Sequence, residues 1–228
     1  NSFARIEKMN CFGIKPKNAE QAFAMHALTN PEVKLVTIQG VAGTGKTLLS
    51  LATALAQHRD YHSIFLARPI VPLSNRDIGY LPGDAETKLN PYMEPLWDNL
   101  KVIQNQYSEN SKEYQKVKEL VDNEKLMVTP LAYIRGRSLA NIIFIVDEAQ
   151  NVTHSQMEAV IGRLGKGSKM VICGDMAQID LHSKKETGFS FLTRVEEQVK
   201  GFRVVNLEKN HRHDIVAPVL KVYETYRD

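Results

Sequence analysis

Short apolar runs alternate with longer stretches of helical periodicity along nearly the whole chain. Positions 35–39, 63–67, 141–146 and 168–173 carry apolar, often β-branched residues bounded by polar or turn-forming ones, which predicts buried strands. A further strand is expected at 202–207, and a short strand and turn at 126–129 and 131–134. Between them the spacing predicts helices over 18–28, 48–56, 85–105 (with Pro91 and Pro95 inside), 108–123, 153–164, 188–199 and 214–226. Asn18 and Thr153 stand where N-caps belong, and Phe23, Ala27 and Leu28 are the expected buried stripe of the first helix. Strands alternating with helices imply an α/β fold with a mostly parallel sheet covered on both faces.

One stretch gives this scaffold a chemistry. Gly40-Val41-Ala42-Gly43-Thr44-Gly45-Lys46-Thr47 fits the phosphate-loop pattern, with a predicted strand before it and a predicted helix after it. A chain that leaves a strand through glycines and enters a helix aims backbone N–H groups and a helix dipole at one point. Glycine is needed where a Cβ would keep the backbone from wrapping an anion or where φ is positive. Lys46 can reach the β- and γ-phosphates, and the Thr47 hydroxyl can ligate Mg²⁺. ATP and Mg²⁺ are therefore the expected cofactors.

Composition narrows the setting more than it adds. The chain has 228 residues, 43% of them hydrophobic, enough for one sizeable core. No apolar run reaches the roughly 18 residues of a membrane span, and no secretory pattern is visible. Cys11 and Cys173 are far apart, which fits reduced thiols and a cytoplasmic protein. A net charge of +3 permits nucleic-acid contact without arguing for it. The chain opens on Asn1 rather than Met, as expected of a fragment.

The 141–146 strand leads into Asp147 and Glu148. A carboxylate at a buried strand end is costly unless partnered, and a Mg²⁺ shared with Thr47 resolves that for Asp147. Glu148 points elsewhere and is the expected general base for the attacking water. Gln178, after the 168–173 strand, can bridge the γ-phosphate to a moving part, with Asp175 holding that loop. Arg212 can offset transition-state charge. The loop opening at Arg68 faces the ligand crevice of such sheets, making Arg68 a nucleotide contact and the rest a border of the nucleotide or of a polymer track. Gln21 is open to two readings, a solvated helix residue or an adenine contact.

Taken together, the phosphate loop, Arg68-Pro69-Ile70-Val71-Pro72, Gly79-Tyr80-Leu81-Pro82-Gly83-Asp84, Pro130 to Arg137, Val146 to Asn151 and Gly174 to Asp180 resemble the PhoH-like ATPases. The resemblance covers roughly residues 14–226. It implies a three-layer RecA-like P-loop NTPase related to the first motor domain of superfamily 1 helicases. Residues 1–30 would then be an N-terminal segment with a Q-motif-like helix, and 31–228 the ATPase domain. That kinship implies adenine contact for Gln21, γ-phosphate sensing for Gln178, and an arginine finger or sensor role for Arg212. Phe12 to Pro16 resembles the junction of members fused to an N-terminal PIN ribonuclease domain. Leu73 to Asp77 departs from the pattern, standing where a shorter turn with glycine is expected.

The function these readings imply is ATP hydrolysis coupled to RNA remodelling or unwinding, by a homo-oligomer with a hexameric ring as one form. The alternative is an ATP-controlled assembly scaffold without nucleic-acid activity. A small-molecule kinase fits less well, because a water-activating Glu148 would waste ATP.

Overall fold

The computed structural model describes residues 9–70, 85–134, 139–178, 187–211, 215, 218, 219 and 222, with backbone alone for 85–90. Their core is a six-stranded sheet built of β1 (Leu35–Gly40), β2 (Ser63–Arg68), β3 (Leu126–Pro130), β4 (Ile142–Val146), β5 (Lys169–Gly174) and β6 (Phe202–Leu207). The strands lie in the order β3-β2-β4-β5-β1-β6, and every pairing is parallel. Alternate strand residues face opposite sides. Ile64, Leu66, Ile143, Ile145, Val171 and Cys173 join one apolar cluster, while Phe65, Ala67, Ile142, Phe144, Val146, Met170 and Ile172 join the other.

Helices cover both faces, which completes the expected three layers. On the first lie α1 (Ala19–Thr29), α2 (Lys46–Ala56), α3 (Ala85–Gln104) and α4 (Lys112–Asp122). On the second lie α5 (His154–Ile161) and α6 (Gly188–Leu192). The caps form as the sequence predicts. Asn18 accepts the Gln21 N–H, and Thr153 and Gln156 make a reciprocal capping box.

Two expectations need correction, and one of two open readings closes. The 188–199 helix is shorter: past Leu192 the N–H groups of Arg194 and Val195 bond three residues back, not four, and only a 3₁₀ turn at Glu196–Gln198 follows. Phe23 is 55% exposed, and the buried stripe of α1 is carried by Ala24, Met25, Ala27 and Leu28. Gln21 is not a solvated residue, being only 4% exposed. The 71–84 loop, Arg135 to Arg137, and most of the 214–226 helix lie outside the described residues.

The strand order positions the site. From β1 the chain crosses to β2 and then outward to β3, returning so that β4 and β5 fill the gap beside β1. The loops after β1 and β4 therefore meet at the carboxyl edge with only β5 between them.

Candidate nucleotide site

The loop between β1 and α2 is shaped by its glycines. Gly43 and Gly45 have φ of +88° and +92°, a region where a Cβ would be strained. This turns the chain so that α2 starts at Lys46, two residues earlier than the periodicity suggests, with its N-terminal N–H groups at the loop. The Lys46 ammonium lies across the loop mouth, donating to Gly40 O at 2.6 Å and Val41 O at 3.1 Å.

Thr47, one residue into α2, donates from its hydroxyl to Asp147 Oδ1 at 2.6 Å, spanning one hundred residues of sequence. Asp147 is 6% exposed at the tip of β4. Burial, then the neighbouring Glu148 charge, push its carboxyl above the usual range, outweighing the Thr47 hydrogen bond and the fields of Arg68 and Lys46. A nearly buried carboxylate held against a hydroxyl, both hard oxygen donors, fits Mg²⁺. Among the described residues no group of three His, Cys, Asp or Glu side chains could hold a metal ion by itself. Such a cation would therefore draw its remaining ligands from phosphate and water, as Mg²⁺ usually does.

Glu148 adopts a left-handed conformation, φ +51°, which is unusual for a side chain of this size. Its two carboxylate oxygens face different partners. One oxygen lies 3.7 Å from the Arg68 guanidinium at the end of β2, and the other accepts from Gln150 Nε2 at 2.6 Å. Gln150 is 1% exposed, and its Oε1 accepts the Asp175 N–H at the tip of β5 at 3.0 Å. Sequence reasoning gave Gln150 no role. Its one sequence signal is its place two residues after Glu148, in the same turn.

The β5 loop is pinned by Asp175, whose Oδ1 accepts the Ala177 N–H and whose carbonyl accepts the Gln178 N–H. Gln178 itself is exposed. Arg212 lies outside the described residues. One residue before it, the His211 N–H donates to Gly43 O at 3.1 Å, so the segment after β6 touches the phosphate loop. The His211 ring Nε2 sits 3.2 Å from Asn18 Nδ2. Gln21 reaches the same loop from α1, donating to Thr44 O at 2.9 Å. The chemical capacity of this edge is clear. It offers backbone N–H groups and an ammonium for an anion, a hydroxyl–carboxylate pair for a cation, and a braced second carboxylate for a proton.

The family model for PhoH-like proteins matches residues 13–224. Protein PhoH2 of Bacillus subtilis is 43% identical over 193 residues, covering 83% of this chain and 42% of its own length. The PhoH-like protein of Synechocystis is 38% identical over 189 residues, covering 81% of this chain and 55% of its own. The chain thus spans about half the length of the curated relatives it matches. Among solved structures, the Pif1 helicase from Candida albicans aligns at TM-score 0.46 and 15% identity, covering 92% of this chain and 44% of that one.

Proposed function

The chain belongs to the PhoH-like protein family, and from that premise we propose that it is a Mg²⁺-dependent ATPase with its site at the carboxyl edge of β1, β4 and β5. The observation that carries this reading is the 2.6 Å contact between Thr47 and Asp147, which joins the phosphate loop to a buried acid. The loop N–H groups and Lys46 bind the phosphates. Thr47 and Asp147 hold the cation, which neutralises phosphate charge when bound. Glu148 takes the proton of the attacking water. Arg68 and Gln150 fix the direction in which its carboxylate faces, while Gln178 and Arg212 respond to the terminal phosphate.

The test is a pair of variants. Lys46→Ala is expected to abolish nucleotide binding or turnover. Glu148→Gln is expected to retain ATP while slowing hydrolysis at least about a hundredfold, the usual scale for a lost general base. Ordinary turnover by Glu148→Gln would refute the base assignment.

The polymer acted on in this reading is RNA. Beside the site lies a mostly apolar cleft of about 450 Å³, from Pro69 and Ile70 to Val160, with Asn151, Gln156 and Arg163 as its polar lining. Pro69 follows Arg68 and Asn151 follows Gln150, so a strand in the cleft would press on both segments that hold Glu148. Assembly into a homo-oligomer and linkage to an N-terminal PIN domain belong to the same proposal. Nucleotide-dependent assembly without any response to RNA would favour the scaffold reading instead.

A further inference from the structure

Gln21 sits on the first turn of α1, where each polar atom of its amide makes one hydrogen bond inside the protein. Its Oε1 accepts the Lys17 N–H at 2.8 Å, and its Nε2 donates to the Thr44 carbonyl at 2.9 Å. Both partners are backbone groups of fixed polarity, so the amide can face only one way. Reading adenine would fall to the second lone pair of Oε1 and the second hydrogen of Nε2. The amide would have to turn one acceptor and one donor outward to meet the base edge. With the residue 4% exposed and its amide bonded inward at both atoms, little of that edge is presented to a base.

What Gln21 does touch is the phosphate loop. Thr44 lies between the two left-handed glycines, and Gly45 is close enough that a Cβ there would meet Gln21 Nε2 at 3.2 Å. The neighbouring residues of α1 fasten the other flank. Glu20 Oε2 accepts the Glu208 N–H at 2.8 Å, Asn18 meets His211, and the His211 N–H donates to Gly43 O. The first turn of α1 and the segment after β6 therefore grip the loop from both sides at Gly43 and Thr44. A loop whose N–H groups must point at one anion gains affinity when its conformation is set in advance.

We infer that Gln21 is a positioning residue for the phosphate loop and not a reader of the base, so that the site selects the triphosphate and accepts nucleoside triphosphates of more than one base. This rests on the nucleotide-binding reading above. It departs from the adenine role that the resemblance implies for this position.

The experiment measures equilibrium binding of Mg²⁺ complexes of ATP, GTP and inorganic tripolyphosphate to the 228-residue chain and to Gln21→Met, at a temperature well below either melt. The wild-type chain is expected to bind ATP and GTP within about threefold of each other, and Gln21→Met to weaken all three ligands by one common factor, about tenfold for a lost buried hydrogen bond. Loss confined to ATP, with tripolyphosphate unchanged, would show a base contact and overturn the inference. So would a wild-type preference for ATP beyond about thirtyfold, a measurement that needs no variant. A contribution to folding alone would lower the melting temperature without moving tripolyphosphate affinity, and that outcome also overturns it. Should Gln21→Met not fold, Gln21→Glu keeps the acceptor for Lys17 and sets a carboxylate against the Thr44 carbonyl. The same common weakening is expected of it. Failure of the wild-type chain to bind any of the three ligands would instead strike the nucleotide reading itself.

Discussion

Gln150 ties the carboxylate of Glu148 to the tip of the adjoining strand, donating to Glu148 Oε2 at 2.6 Å while accepting the Asp175 N–H. Glu148 thereby has its direction fixed from two sides, by this amide and by Arg68. A base that must point at one water loses effect when it swings. Gln150→Leu is expected to lower kcat about 10- to 100-fold with KM within about twofold, since positioning acts on the transition state. Gln150→Glu sets a second carboxylate beside the base, so the acid limb of the kcat–pH profile should move to higher pH. Steady-state ATPase profiles check both, and an unmoved acid limb would leave Gln150 a packing residue.

In the proposed site, Asp147 sets cation binding against stability. Its raised pKa means the folded chain binds a proton more readily there than the unfolded chain does. By linkage this group's contribution falls as pH rises through the folded value, so near neutrality the buried charge is destabilising. Asp147→Asn, measured without divalent cation, is expected to raise the melting temperature by about 2–4 °C for roughly 1 kcal/mol. The same variant should lose Mg²⁺-dependent hydrolysis. A lower melting temperature than wild type would contradict this account.

Lys169 opens β5 fully buried, with Nζ donating to Leu28 O and Asn30 O at the end of α1. Burial, with Lys34 nearby, pushes its ammonium down to about 8 from 10.5. Between those two values the unfolded chain holds the proton and the folded chain does not, so this group's contribution to stability rises with pH. Compared with Lys169→Met, the wild-type chain should gain about 2–3 kcal/mol between pH 7 and 10, at 1.36 kcal/mol per unit. Urea melts of both proteins across that range measure it, and a constant difference would rule the titration out.

The proposed RNA coupling has its own signature. Single-stranded RNA is expected to raise ATP turnover, and the gain should shrink as salt rises because phosphate contacts release counterions. Arg163→Ala, in the cleft beside α5, should reduce the stimulation and leave basal turnover unchanged. Turnover flat across an RNA titration argues instead for assembly control, which size-exclusion runs with and without ATP would then reveal.

Local grammar explains why so much of this was readable in advance. The run from Ile142 to Val146 is a strand because five apolar residues in a row suit burial on both faces. Thr153 announces a helix start because the cap is a contact between residues three apart. Phe23 goes against the expected stripe, and Gln21 stays open between two readings in the sequence, for the complementary reason. Which face of α1 turns inward depends on what lies beneath it, and the phosphate loop there offers a carbonyl to an amide.

By itself the sequence determined the alternating α/β class, the glycine loop with its lysine and threonine, and the paired acids at a strand end, since each is a pattern within a few residues. Tertiary structure alone decided that β5 slots between β4 and β1, that Gln150 links Glu148 to Asp175, and that Gln21 grips Thr44. Periodicity tells a strand which faces are buried. It carries nothing about which strand lies alongside, and every one of those contacts follows from that choice of neighbour.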